Sequence, residues 1–294
     1  MITFLLFCGL QPVEAPAEPY QLKMEYADVG NPFIASVERI SLFSSQGKAI
    51  WVREVDAPAS AFSLNNGRAM LVIHRAPEGA RFSLEFINPS GGLAASHNIQ
   101  YFQQAYVSTK TGRVLVLSAR QAILFTNSGQ ILSSFEGKFC SAAIDASGER
   151  FALASQDYLR IYEDSELIAK LRLTNPFLRK LKFSSTGTFL AALTSNSLEL
   201  WQQGGQPYSL NLLNFDASPL VLSFDSVEKN LLIGLCGKEN LKLLKLSLLD
   251  HSTTLYTQPL NSKDETILSI TPSFSDWRIQ LTSGWYGFNS QEAK

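Results

Sequence analysis

Apolar residues recur along this chain in runs of four to seven, alternating with polar residues or unbroken, and each run is bounded by polar residues and glycine. That pattern predicts β-strands and turns, because no window sustains the 3.6-residue spacing of an amphipathic helix. The stretch AIDASGERFALASQDYLRIYEDSELIAKLRL, residues 143–173, sets out one complete round. The stretch LKFSSTGTFLAALTSNSLELWQQGGQPYSLNLL, residues 181–213, repeats it. Each reads as an apolar strand, a turn with Gly, a second strand, a tight polar turn, a third strand ending near an aromatic residue, another turn and a fourth strand.

Two markers follow this unit along the chain. The Gly of the first turn recurs at Gly30, Gly67, Gly112, Gly148 and Gly187, in steps of 37, 45, 36 and 39 residues. In the sixth and seventh units the same place falls near Glu228 and Phe274, where the Gly is lost. Gly belongs in such a turn because the backbone there takes positive φ, which costs any residue with a side chain. The third strand ends at Phe43, Ile87, Phe125, Tyr162 and Trp201, followed four residues later by Gly47, Gly91, Gly129, Glu166 and Gly205. Two markers in phase over five units establish an internal repeat.

Seven units result, at about 20–55, 58–98, 101–135, 137–173, 178–213, 219–258 and 264–294. Second strands such as FALAS and FLAAL read as buried on both faces, whereas the fourth strand LIAKLRL carries Lys170 and Arg172. A gradient from apolar inner strands to charged outer ones is what radially stacked four-stranded blades require, since one sheet cannot cover both its own faces.

The amino-terminal run ITFLLFCGL has two competing readings. Its length is too short to span a bilayer as a helix. Followed by Ala15-Pro16-Ala17, it reads as an export signal, with residues 1–19 a signal peptide and linker and residues 20–294 a single domain. No Lys or Arg precedes it, however, and Ile2–Cys8 also suits a β-strand. The last unit ends at Gly287-Phe288-Asn289-Ser290-Gln291, which matches Leu42-Phe43-Ser44-Ser45-Gln46 of the first, so the chain stops where a seventh fourth strand would begin. Residues 2–8 are the candidate for that closing strand.

The turn motifs Ala146-Ser147-Gly148 and Ser185-Thr186-Gly187, the aromatic closing the third strand and the unit length resemble the blades of WD-repeat-like β-propellers, from Tyr20 onward. The Asp that follows the aromatic in that family is replaced here by Ser44, Asn88, Thr126, Glu163 and Gln202, and no Gly-His pair opens the units. The family's buried His–Ser–Asp–Trp network therefore cannot form. What the resemblance implies is an all-β fold, a seven-bladed β-propeller of four-stranded antiparallel blades, and not a function.

The chain has 25 Lys and Arg against 26 Asp and Glu, a net charge of −1 that gives no general grip on nucleic acid. Cys8, Cys140 and Cys236 are too few for a disulfide framework and lack metal spacing; Cys140 and Cys236 are expected to be buried thiols. His74, His97 and His251 are scattered, and there is no nucleophile elbow, phosphate loop or zinc motif, so neither a metal nor a cofactor is expected. The mixed segment His74-Arg75-Ala76-Pro77-Glu78-Gly79 reads as a solvated loop. The alternating run Leu178-Arg179-Lys180-Leu181-Lys182 reads as a half-exposed strand.

In propellers the loops from fourth to first strand and from second to third strand line one face around the channel. Here they carry Arg75, Phe102, Arg120, Lys138, Phe139, Phe177, Phe215, Lys238 and Trp285. One reading is an aromatic rim with basic groups that binds a protein, a peptide or an extended polymer. The other is that each Phe plugs the gap between blades, which a recurrent position in a repeat favours. The leading expectation is a non-catalytic interaction or scaffold module of a bacterial envelope, with a protein or peptide partner or a glycan, and with no nucleic acid. The alternatives are a propeller hydrolase or lyase acting on a glycan or peptide, and a structural subunit contacting its partner through its outer strands. An exposed apolar patch on the fourth strands would favour the last.

Overall fold

The computed structural model describes residues 3–7, 11–12, 20–26, 37–74, 81–173, 178–238, 240–259, 265–272 and 277–288. These residues form seven sheets and two single-turn 3-10 helices. Blade one pairs Tyr20–Tyr26, Val37–Ser44 and Ala49–Ala57. Blade two pairs Ala59–Ser63, Ala69–His74, Arg81–Ile87 and Leu93–Gln100. Blade three pairs Phe102–Val107, Val114–Ser118, Gln121–Phe125 and Ile131–Glu136. Blade four pairs Ser141–Ile144, Arg150–Ala154, Tyr158–Glu163 and Glu166–Arg172. Blade five pairs Leu178–Phe183, Phe189–Thr194, Ser197–Gln202 and Tyr208–Asn211. Blade six pairs Ser218–Phe224, Asn230–Cys236, Asn240–Ser247 and Thr253–Pro259, and blade seven Ile267–Pro272, Trp277–Leu281 and Gly284–Phe288. Within each blade these strands run antiparallel in chain order. The fold is all-β, a seven-bladed β-propeller.

Two places depart from the sequence reading. Gln11–Pro12 pairs with Tyr286–Gly287 as the fourth strand of blade seven, while Thr3–Phe7 runs parallel beside Thr253–Thr257 as a fifth strand of blade six. The closing strand thus comes from the amino-terminal segment, but from Gln11–Pro12 where the sequence offered Ile2–Cys8. Pro12 lacks an N–H, and an outer edge is where a strand tolerates that. In blade one Tyr20–Tyr26 pairs directly with Val37–Ser44, so among the described residues three strands stand where four were expected, and the turn expected at Gly30 lies outside those residues.

The chain divides into two compact units, Ala17–Arg172, and Met1–Pro16 with Leu173–Lys294. In the first, apolar faces meet between successive blades. Ile40, Leu42 and Trp51 pack on Leu71 and Ile73; Phe86 packs on Val116 and Phe125; Leu117 and Leu124 pack on Phe151 and Tyr162. Glu85, almost fully buried, is bridged to Arg53 of the neighbouring blade at 2.5 Å. In the second unit Ala191, Leu200 and Leu210 pack on Leu222, Ile233 and Leu255, and Leu232 and Leu243 on Ile270, Trp277 and Ile279. Each such side chain contributes about 1.5–3 kcal/mol on burial, so stacking of blades rather than any single sheet holds each unit together.

The first-turn glycines Gly67, Gly112, Gly148 and Gly187 all have φ between 69 and 76°. Glu228, which stands at that place in blade six, is forced into the same region with φ 54°. Its carboxylate repays the strain locally. Oε1 accepts from Ser185 Oγ at 2.7 Å and from Thr186 N at 2.6 Å, and Oε2 accepts from Thr186 Oγ1, tying the turn of blade six to that of blade five. Partial burial alone would raise the Glu228 pKa, but these bonds outweigh it and hold it below its ordinary value of 4.5. The stabilisation is therefore complete above the unfolded value and fades as pH falls through the lower folded one. Glu228→Gln is expected to flatten the acid limb of stability below about pH 5, by less than about 1 kcal/mol given its exposure. Urea titrations of both proteins across that range would check it.

Candidate interaction surfaces

The residues predicted for the loop face separate by burial. Phe139 and Phe215 are 4% and 7% exposed and belong to the cores between blades. Phe102 is half-buried against Phe82, with ring centroids 5.7 Å apart. Phe139 and Phe215 fill the gap between neighbouring blades, while Phe102 packs there in part and keeps part of its surface exposed. Trp285 is half-buried on the last strand. Arg75 and Phe177 lie outside the described residues, as does most of the segment from His74 to Gly79.

Arg120, Lys138 and Lys238 are exposed in loops of the predicted kind. The Ala119–Arg120 hairpin is anchored at both ends, since Ala119 N donates to Tyr101 O and Gly137 N donates to Arg120 O. That places Tyr101, Arg120 and Lys138 on the same edge of blade three. Cys140 follows them, and it is exposed rather than buried, while Cys236 is half-buried. Cys140 comes just before the strand Ser141–Ile144, with its N–H and its thiol both donating to Ala154 O, at 2.8 and 3.4 Å. Partial desolvation raises its pKa, so the thiol is held in its less reactive form.

A second surface lies on the outer strands, the alternative contact for which the sequence names no residues. Thirteen large apolar side chains are exposed among the described residues, and seven of them lie on the outer strands of blades one to four. They are Ile50, Val52, Leu93, Ile131, Leu132, Leu167 and Ile168, with Val52, Leu93, Ile131 and Leu167 each at least half exposed.

The cause is a bulge at one register in all four blades. Leu42 faces Trp51 while Phe43 faces Ala49, which leaves Ile50 as an extra residue. The same shift makes Ala94 extra in blade two, Leu132 in blade three and Ile168 in blade four. Two residues then oppose one, and both turn outward. The pairs Ala49–Ile50, Leu93–Ala94, Ile131–Leu132 and Leu167–Ile168 are exposed at both members.

The pairs are also neighbours. The turn at Gly91 packs on Trp51, the turn at Gly129 packs on Ala95 and accepts a bond from His97 Nε2 at 2.6 Å, and Ser165 bonds Ser133. In each case the residue that follows one pair touches the turn that precedes the next. The four pairs therefore form a stepped apolar belt along the outer edge of this unit.

No family model matches the chain, and no curated protein does. Among solved structures the fold is similar to Kluyveromyces lactis Hsv2 with its complete loop 6CD, with a TM-score of 0.52 and 12% identity over 76% of this chain and 82% of that one. It is equally similar to the form of Hsv2 in which loop 6CD is replaced by a Gly-Ser linker, with a TM-score of 0.51 and 13% identity over 78% and 81%. At this level of identity the likeness concerns the fold alone. Among the described residues no helix is long and apolar enough to cross a membrane.

Proposed function

We propose that the chain is a non-catalytic interaction module that holds a protein partner against the outer strands of blades one to four. The observation that supports this reading is the recurrence of an exposed apolar pair at one register of four successive blades. A recurrent buried position answers the packing need of a repeat. A recurrent exposed apolar one does not, since its apolar surface stays in water until something covers it. The pairs are aliphatic, so they offer a sugar no flat ring and a reaction no acid or base. They suit the apolar face of a protein, and the outer strands that carry them present an open edge for backbone pairing.

The test uses a photo-activatable residue placed singly at Leu132, Leu167, Arg120 or Lys138 of the full chain in its native cells. The expected result is one protein adduct common to Leu132 and Leu167, absent from Arg120 and Lys138, and lost when Leu93→Lys and Ile131→Lys are added. Those two changes should alter stability by no more than about 0.5 kcal/mol, as both sites are exposed. Adducts from the loop positions alone would move the contact to the loop face and refute the belt.

A further inference from the structure

The outer edge of blade six differs from those of blades two to four. The fourth strands of those three blades, Leu93–Gln100, Ile131–Glu136 and Glu166–Arg172, are largely exposed. Thr253–Pro259 is largely buried instead, with Thr253, Leu255 and Tyr256 at 2, 5 and 3% exposure. Its composition goes with that placement. Lys170 and Arg172 guard the edge of blade four, whereas Thr253–Pro259 carries no charge to turn a further strand away. Along this uncharged edge runs Thr3–Phe7, parallel and in unbroken register from Thr3 opposite Thr253 to Phe7 opposite Thr257.

The fit of that strand is incomplete. Leu255 belongs to the core that blade six shares with blade five, and Thr253 and Thr257 take the same face as Leu255, two residues to either side of it. Among the described residues neither threonine hydroxyl has a hydrogen-bond partner, although Thr257 is only 9% exposed and Thr253 less. A buried hydroxyl left unpaired is costly. The residue paired with Thr257 is Phe7, a type with no hydrogen-bonding side chain. Paired residues of adjacent strands share a face, so a hydroxyl or amide in the place of Phe7 would stand beside Thr257. The parallel ladder is also the less stable of the two kinds per residue.

We infer that the outer edge of blade six is a strand-addition site for an extended, uncharged segment of a partner protein that carries Ser, Thr or Asn where Phe7 now stands, and that Thr3–Phe7 holds this place until the partner displaces it. The occupied edge shows the mode of binding, which is backbone pairing along five residues. The uncharged strand selects an uncharged segment, and the unpaired hydroxyl of Thr257 selects the polar residue within it. The edge belongs to the unit formed by Met1–Pro16 and Leu173–Lys294, so it is separate from the apolar belt.

The probe is a labelled peptide of residues 1–9 with Cys8→Ser and a soluble lysine tail, made as such and with Phe7→Thr. Fluorescence anisotropy follows its binding to the full chain and to the full-length variant F4P/L5P. Adjacent residues of a strand direct their N–H groups to opposite edges, so the two prolines remove a ladder donor in either orientation. F4P/L5P is expected to bind both peptides, and the Phe7→Thr peptide about fivefold more tightly, as one buried hydrogen bond allows. Adding T257V to F4P/L5P should abolish that preference while leaving binding itself intact. Circular dichroism checks that the variants are folded. The wild-type chain gives a second measurement that does not depend on them: an excess of the Phe7→Thr peptide should release the amides of Thr3–Phe7 to hydrogen exchange. No binding to folded F4P/L5P, equal affinity for the two peptides, a preference that survives T257V, or unchanged exchange in the wild type would each overturn the proposal.

Discussion

Replacing Lys182 by Met is expected to stabilise the chain at pH 7 by about 1–3 kcal/mol and to abolish a rise in stability at alkaline pH. Lys182 lies on the first strand of blade five, mostly covered, and its ammonium donates to Ser223 Oγ at 3.3 Å. Ser223 is itself fully buried, and it is a neutral partner. Burial first, and then the nearby charge of Lys180, push the Lys182 pKa down from 10.5 to about 8. Keeping the folded form charged against that lowered value costs about 3 kcal/mol.

The direction in pH follows from proton counting. Below about pH 8 both folded and unfolded chains carry the proton, and the penalty is present in full. Between about 8 and 10.5 the unfolded chain binds more protons than the folded one, so stability rises with pH. Met fills the same space without a charge, at the loss of one hydrogen bond of about 1 kcal/mol. The measurement is urea unfolding of both proteins at pH 7 and at pH 10. The difference between them isolates Lys182 from tyrosines that titrate in the same range. Equal pH slopes would show that the ammonium is solvated in the folded chain.

The repeat was legible because turn geometry leaves a mark in composition. Gly67, Gly112, Gly148 and Gly187 sit where positive φ is needed, and the same spacing leads to Glu228, whose φ is 54°. Blade one is less legible: the recurrence of the turn Gly puts a first-to-second-strand turn at Gly30, whereas the strand that Tyr20–Tyr26 pairs with is Val37–Ser44, which the repeat marks as the third. The alternating run at residues 178–182 is a half-exposed strand as its pattern implies, but alternation says which face Lys182 takes and not that Ser223 of the next blade lies against it.

The surfaces were harder to read for a related reason. Phe139 and Phe215 are in loops, and only the structure distinguishes a Phe that fills an interblade gap from one that faces a ligand. The belt has a sequence signature, an apolar doublet shortly after the turn that closes the third strand, as in Gly129-Gln130-Ile131-Leu132. A strict period of two assigns adjacent residues to opposite faces, so it hides such a doublet by placing one member inside. The bulge turns both outward, and strand propensity does not report a bulge.

The turns that produce this belt also give the most severe test of how the blades stack. Gly129→Ala is expected to destabilise the chain by about 2–4 kcal/mol, combining a left-handed residue with overpacking. Gly129 has φ 89°, and a Cβ there would stand 2.6 Å from Phe86 Cδ2 and 2.7 Å from the Ala95 Cβ. Phe86 is fully buried and wedged against Phe125 at 5.3 Å between centroids, so its ring has no room to yield. Gly47 supplies the matched control. It occupies the equivalent turn of blade one with φ 75°, and nothing lies within 4 Å of the added atom. Gly47→Ala should therefore cost the conformational part alone, about 1 kcal/mol. Urea unfolding of the two variants measures the difference, which is the steric cost of pressing one blade's turn into its neighbour. Equal losses would mean that the turn of blade three does not rest on Phe86 and Ala95, and the stepwise adjacency of the four apolar pairs would fall with it.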